Sequence, residues 1–370
     1  MAGWIDSCCD CEEVATAFSS NYKGTYVFLI HLDVNLFSSK LKHNEIKKRK
    51  LKEIEKKVSA LRNTSGGEIL VHLQGQDTED RYLGHFDNFT DACLKNLIPD
   101  GQLFTDVYRR QWLWDVFPGF ESTPVLLLTV NKARSVCTVH FYTKVASDCM
   151  IENASTIGFI SLLSRKVITT ATEPTLRGIH NFEKRLHENR HIELKSVFTK
   201  KDRTFHNISS FVDYIWTDLR FRENLCSMSK LEGGGSFFVG INERNGGGTY
   251  DSREINPNGF PCNWNVDELK TSLDDKLECD ASYQRPDGAL TSVPTTLIEV
   301  ALYNSPLQKQ ACPHNFKILE IAVGYAAGIV FYNKKGPETY TIEEKGNICR
   351  MEHCEWLERI QSFSIVDNKQ

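Results

Sequence analysis

The chain has 370 residues, 41% apolar and 25% charged, which suits two ordinary domains with sizeable cores and excludes a disordered polymer. A net charge of −4 excludes a uniformly basic nucleic-acid coat but leaves room for a local basic patch, so charge has to be read by segment. The start, Met1-Ala-Gly-Trp-Ile-Asp6, lacks the basic head and apolar core of a signal peptide, and no apolar run is long enough to span a bilayer. A chain without a membrane span is therefore expected, its twelve cysteines mostly reduced, in a cytosolic or nuclear setting, with cytoplasmic as the assignment.

Residues 1–23 are polar and are expected to form a flexible N-terminus. Cys8-Cys9-Asp10-Cys11 holds metal-type side chains, but no matching His/Cys set lies nearby in sequence, so no function is expected there. Residues 25–32 read as a strand and 40–62 as a helix, in which Leu51, Ile54, Val58 and Leu61 form an apolar stripe. That segment carries ten Lys/Arg against three Glu, a net of +7. Its Lys47, Lys48, Arg49 and Lys50 are candidate phosphate contacts; a lysine-rich solvated face is the competing reading. Asn63-Thr-Ser-Gly-Gly67 signals the helix end, followed by a strand over 68–73. A helix is expected at 85–98, strands at 124–130 and 136–142, a short helix at 151–163 and a linker at 169–175. Strand 190–198, a helix with Ile208, Phe211, Val212, Ile215 and Leu219 on one face, a glycine cluster and strand 236–241 follow. A helix at 266–277, strands at 295–302, 316–323 and 327–332 and a helix at 352–361 complete the pattern. Helix, Gly-Gly, strand thus occurs at 44–73 and again at 204–241, which predicts an internal duplication of one α+β unit.

Two stretches carry the candidate chemistry. Glu188-Asn-Arg-His-Ile-Glu-Leu-Lys195 reads as a loop entering a strand, with Ile192 and Leu194 facing one side and Glu193 and Lys195 the other. Gly233-Gly-Gly-Ser-Phe-Phe-Val-Gly-Ile-Asn-Glu243 reads as a glycine turn and a buried strand, with Glu243 just past its end. Glu188, Glu193 and Glu243 would then converge. Close carboxylates repel unless protonated or holding a cation, and an oxygen cluster suits Mg²⁺ or Mn²⁺. On spacing alone, solvated acids of an ordinary strand are the simpler reading. His187 and His191 flank the acids and are expected to be structural or exposed. Cys349, His353 and Cys354 lack the regular pairs of a zinc site.

These residues resemble the Schlafen core. Glu188-Asn-Arg-His-Ile-Glu-Leu-Lys195 is similar to that family's E-x-x-x-x-E-F-K stretch, and Gly233–Arg244 to its N-x-x-G-G-Y-L-F-I-G-V-D-D-K stretch. Ala60–Leu73 resembles the helix-Gly-Gly-strand of the Schlafen N-lobe, and Gly336–Lys345 the segment after the core sheet. The likeness covers about residues 25–360 in the same order. It implies an α+β fold of two pseudo-symmetric lobes in a U-shaped clamp: a flexible terminus 1–23, an N-lobe 24–168, a linker 169–179, a C-lobe 180–362 and a tail 363–370. It implies a divalent-metal-dependent endoribonuclease, or the catalytic subunit of one, acting on tRNA-like RNA or piRNA precursors. The acids carried over are Glu188, Glu193 and Glu243. Lys195, Lys200, Lys201 and Arg203 join the basic helix as RNA-binding candidates, with a surface ion pair as the competing reading for Lys195. The helicase region of long Schlafens is missing, which implies a short, core-only type with a second Schlafen-like chain and an adaptor protein as partners. Three features depart from the family. Glu243 stands where it usually has Asp, and the stretch between Glu193 and the glycines is longer. The zinc-binding Cys pair is replaced by Val323-Gly-Tyr-Ala-Ala-Gly-Ile-Val-Phe331, so structural zinc is not expected. A non-catalytic RNA-binding or scaffold subunit is the alternative, and a regulatory protein without RNA contact a third reading.

Overall fold

A computed structural model describes residues 9–22, 24–37, 45–77, 80, 83–94, 97, 108–133, 136–147, 150–154, 156–164, 171–179, 188–197, 205, 207–244, 254–306, 315–343 and 346–366. The first part of the chain forms α1 (Cys9–Asn21), β1 (Tyr26–Asp33), α2 (Glu45–Arg62), β2 (Gly67–Gln74), α3 (Gly84–Leu94), β3 (Tyr108–Trp112), β4 (Val125–Val130), β5 (Thr138–His140), β6 (Lys144–Ser147), β7 (Met150–Asn153) and α4 (Thr156–Ser164). The middle forms β8 (Ile192–Lys195), α5 (Ile208–Thr217), α6 (Phe221–Met228), β9 (Gly235–Val239), β10 (Asn242–Arg244), β11 (Glu254–Asn256), β12 (Phe260–Pro261) and α7 (Val266–Asp280). The last part forms β13 (Ser282–Gln284), β14 (Leu290–Thr291), β15 (Ile298–Asn304), β16 (Phe316–Val323), β17 (Ile329–Phe331), β18 (Glu338–Ile342), β19 (Ile348–Arg350) and α8 (His353–Val366). The fold class is mixed α+β, as expected. No helix among the described residues is long and apolar enough to cross a membrane.

Two units emerge, residues 1–140 with 155–165 and 337–370, and residues 141–154 with 166–336. In the first, β1 runs parallel to β2, a pairing that needs a crossover, here supplied by α2. The sheet order is β1-β2-β4-β3, with β4 antiparallel to both its neighbours. In the second, β8 runs parallel to β9 across α5 and α6, and β16 lies antiparallel to β9 and to β15. The path β8-β9-β16-β15 therefore repeats β1-β2-β4-β3 in order and direction. The duplicated unit read from the Gly-Gly pattern is present as topology.

Alternation along β1 and β2 divides the first unit into two layers. Ile30, Leu32, Ile69, Val71 and Leu73 face α2 and α3 with Ile54, Val58 and Leu61. Leu29 and Leu70 face α1. In the second unit Phe237, Val239, Leu319 and Ile321 meet α5, α6 and α7, while Ile192, Leu194, Phe238 and Ile318 build a smaller core on the other face. Asn207 caps α5 through Ser210 N at 2.8 Å, and Asn265 with Glu268 forms a capping box on α7.

Three expectations need revising. Residues 9–21 are not a flexible end but helix α1, because Cys11, Val14, Ala15 and Phe18 recur at i, i+3, i+4 and i+7 and are all buried. Phe18 stacks on Tyr22 at 4.2 Å and meets Phe117 edge-on at 5.7 Å. The expected helix at 151–163 begins as strand β7, paired with β6, and turns helical only at Thr156. The lobes expected as contiguous spans, 24–168 and 180–362, differ from the units, which exchange segments. Asn63 supplies the reason in the first unit. Its buried amide donates to Cys137 O and to Tyr340 O, each at 2.9 Å, and accepts from Cys137 N at 2.7 Å. The end of α2 is thereby tied to residues 137 and 340, and Trp356 Nε1 adds a bond to Thr138 Oγ1 at 2.9 Å. In the second unit, Thr143 Oγ1 donates to Val330 O at 2.6 Å and Tyr332 N to Tyr142 O at 2.8 Å.

His353 gives this C-terminal return a pH dependence. Burial against Trp356 pushes its imidazole down from 6.5 to about 4. As pH falls through 6.5 the unfolded chain takes up the proton first, so stability is full above that value and drains away towards pH 4. The loss is expected to reach about 1–3 kcal/mol, reduced by the imidazole's partial exposure. Urea midpoints against pH should show it, and His353→Phe should flatten the curve between those limits. Parallel curves for the two proteins would show that His353 titrates normally.

Candidate active site at the end of a parallel strand pair

β8 spans only Ile192–Lys195, and its burial alternates as expected: Ile192 and Leu194 are buried while Glu193 and Lys195 are partly exposed on the other face. The strand is locked at both ends. Ser236 N donates to His191 O at 2.8 Å at its start. Gly240 N and Ile241 N donate to Lys195 O, at 2.8 and 3.1 Å, at its end. The acid loop is folded by its own Asn: Asn189 Oδ1 accepts from His191 N at 2.8 Å, and Asn189 and Ile192 exchange backbone bonds at 3.0 Å. His191 Nδ1 lies 2.6 Å from Gly234 O, an acceptor only, so Nδ1 carries the proton. That bond ties the acid loop to the glycine turn and gives His191 a structural role.

Two of the three expected acids come together. Glu193 contacts Lys195 Nζ, and Glu188 Oε1 lies 3.9 Å from the same ammonium. Glu188 Oε1 also accepts from Leu194 N at 3.3 Å, which aims its carboxylate at the strand. Glu243 lies on β10, opposite Ile255 of β11, just beyond the junction of Gly240 and Ile241 with β8. Its side chain lies outside the described residues. Two carboxylates converging on one cation form a donor set that also fits a hard divalent ion. The ammonium now neutralises them, so Lys195 serves as an acid partner here rather than as a lone phosphate contact.

Beside the acid loop is a cleft of about 540 Å³ whose lining includes Arg177, Arg190, His191 and Glu232. Arg190 lies within the acid stretch 188–195, whereas Arg177 sits in the expected linker and carries no local signal. Its placement comes from Glu320. This fully buried carboxylate accepts from Arg177 N at 2.7 Å, Gly178 N at 3.0 Å and Tyr303 OH at 2.8 Å. Burial and the Glu320 bond together raise the Tyr303 hydroxyl above its ordinary range. An acid in the middle of the apolar run 316–323 is the one sequence signal that marks Glu320.

The basic helix is less uniform than its composition. Lys48 and Arg49 are exposed, and Lys52, 64% exposed, lies 3.7 Å from Glu338. Lys48 is 2.6 Å from Glu45. Lys47 covers the Phe89 ring at 5.5 Å and Lys56 the Tyr340 ring at 5.0 Å. Lys50 is buried, 3.2 Å from Glu53, which also holds Lys57, whose Nζ donates to Leu29 O at 2.8 Å. Burial opposes ionisation of Glu53, yet Lys57 and Lys50 hold its carboxyl below the ordinary value. Lys50 is thus part of the fold, and Lys48, Arg49 and Lys52 form the exposed stripe. Lys200, Lys201 and Arg203 lie outside the described residues. Cys349, His353 and Cys354 do not form a converging ligand set among the described residues.

No protein-family model matches the chain, and none of the curated proteins matches it.

Proposed function

We propose that the chain is a cytoplasmic, divalent-metal-dependent endoribonuclease of Schlafen-like, two-lobed clamp architecture, or the catalytic subunit of one acting with a second Schlafen-like chain and an adaptor. The observation that carries this reading is the convergence of Glu188 and Glu193 on one cationic centre, on a loop whose Asn189, Arg190 and His191 line a cleft together with Arg177. Structured RNA of the tRNA or piRNA-precursor kind is the proposed substrate. Glu188, Glu193 and Glu243 would hold Mg²⁺ or Mn²⁺, which when bound supplies Lewis acidity at the scissile phosphate and an activated water. The chain's own groups do the rest. Arg177 and Arg190 would bind backbone phosphate, and their fork geometry suits its oxygens. Lys195 holds the acid pair together and balances its charge. Asn189 and His191 keep the loop in register with β8. Cleavage by the purified protein that is abolished by a chelator and restored by Mn²⁺, alone or with its partner chain, tests the reading.

A second reading, a non-catalytic RNA-binding or scaffold subunit, is favoured by the same Lys195. An ion-paired acid cluster serves folding without chemistry. Purified protein that binds RNA but never cleaves it, in any metal or complex, would select this reading.

RNA binding through α2 is expected in either case. Reversal of Lys48, Arg49 and Lys52 to Glu should weaken affinity about 10–10²-fold and lower the salt slope by ~0.7–0.9 per lost contact. Sequence preference should stay as it is, because phosphate contacts position without specifying. Lys50→Glu should instead destabilise the fold, since it places an acid beside Glu53 in a buried site. Unchanged affinity in the triple variant would make the stripe a solvated or protein-binding face.

A further inference from the structure

The first unit carries a second cluster of ligand-type side chains, far in sequence from the acids. Cys11 of α1, His31 of β1 and His72 of β2 each offer one donor atom, and the three atoms lie within 4.8 Å of one another. Register brings the histidines together: His31 and His72 are direct partners in the parallel β1–β2 pair, so both point to the α1 face. Their rings are 5.0 Å apart. Cys11 is fully buried and His72 is 8% exposed. Cys11 Sγ and His72 Nδ1 face each other at 2.7 Å.

His31 supplies the observation that points to a ligand. Its Nε2 lies 3.1 Å from Gln74 Oε1. An amide oxygen only accepts, so Nε2 carries the proton and Nδ1 the lone pair. That Nδ1 is buried and has no hydrogen-bond partner. A buried acceptor without a partner is costly, and a metal ion would satisfy it. An outer group that fixes the tautomer of a ligand histidine is the arrangement metal sites use, and Gln74 fills that place.

We propose that Cys11, His31 and His72 bind Zn²⁺, with a fourth position left to water. One thiolate and two imidazoles suit zinc and leave no carboxylate for a hard ion. Bonds of about 2.3 Å to sulfur and 2.0–2.1 Å to nitrogen place the sulfur and a nitrogen roughly 3.5 Å apart in a tetrahedral site. The Cys11–His72 contact has to widen by less than about 1 Å to reach that, and the thiol proton leaves to solvent as the metal binds. The ion would join α1 to both strands of the parallel pair. This site is independent of the proposed nuclease chemistry.

The test uses the full chain, stripped with a chelator and titrated with Co²⁺. One equivalent should bind with a thiolate-to-cobalt charge-transfer band and tetrahedral d–d absorption, and Zn²⁺ should displace it. Cys11→Ser should lose the charge-transfer band. Gln74→Leu, a change at an exposed position that leaves all three ligands in place, should weaken Co²⁺ binding about 10–100-fold while circular dichroism stays native. If Cys11→Ser does not fold, His31→Gln takes its place and should lose the tetrahedral absorption. No bound Co²⁺ overturns the proposal. So does a charge-transfer band that survives in folded Cys11→Ser, since other cysteines would then hold the metal, or tetrahedral absorption that survives in folded His31→Gln.

Discussion

Glu193→Gln is expected to slow single-turnover cleavage of a structured RNA in Mn²⁺ by about 10²–10³-fold. The amide keeps the shape of the side chain but removes the charge that would hold a divalent ion. Its effect on folding should be small. Glu193 and Lys195 are 21% and 28% exposed, and their partly buried ion pair contributes on the order of 1 kcal/mol, which the variant gives up. Lys195 keeps Glu188 at 3.9 Å as a remaining partner. The two roles of the acid thus separate cleanly: a large loss of rate with a small loss of stability marks chemistry. A variant that cleaves at the wild-type rate but melts lower would reduce Glu193 to a structural ion pair and move any activity to a partner chain.

Gly234→Ala is expected to damage the second unit severely. Gly234 sits at φ +62°, and a Cβ there would lie 1.8 Å from Val323 O, a backbone atom at the end of β16. Nothing nearby can rotate away, so β9 or β16 must shift, and His191 loses its seat on Gly234 O. The left-handed backbone alone costs about 1–2 kcal/mol, and the overlap adds more. A loss of ~3 kcal/mol or greater in urea unfolding, with loss of RNA cleavage, is expected. Gly233→Ala is the matched control. Its φ is +77°, but its Cβ would meet nothing within 4 Å, so only the backbone cost remains. Equal losses in the two variants would show that the close approach to Val323 does not matter.

The sequence made the duplicated unit legible because the Gly-Gly pairs do local work that composition reveals. β9, all buried, and β16, half-buried only at its start, were readable as apolar runs. Alternation placed Glu193 and Lys195 on one face of β8 without any structure. Other features needed tertiary contacts. The stripe Cys11, Val14, Ala15 and Phe18 is short and set among polar residues, so polarity hid its period. The exchange of 141–154 and 337–366 between units depends on bonds such as Asn63 to Tyr340, which span most of the chain. Lys50 looks like its basic neighbours in sequence and differs only in the direction its helix position faces. Arg177 owes its place to Glu320, and Cys11 meets His31 and His72 only because α1 packs on the face that the β1–β2 register gives both histidines. None of these pairings leaves a spacing in the sequence.

The acid cluster is tested most directly by the Mn²⁺ dependence of single-turnover cleavage, measured for the wild-type chain and for Glu188→Gln in the complex the protein forms. Glu188→Gln retains an oxygen to accept from Leu194 N and so keeps the loop folded. If Glu188 holds the catalytic ion, the variant needs a markedly higher Mn²⁺ concentration to reach half its maximal rate. Superimposable Mn²⁺ curves for the two proteins would contradict that assignment and place the catalytic metal elsewhere.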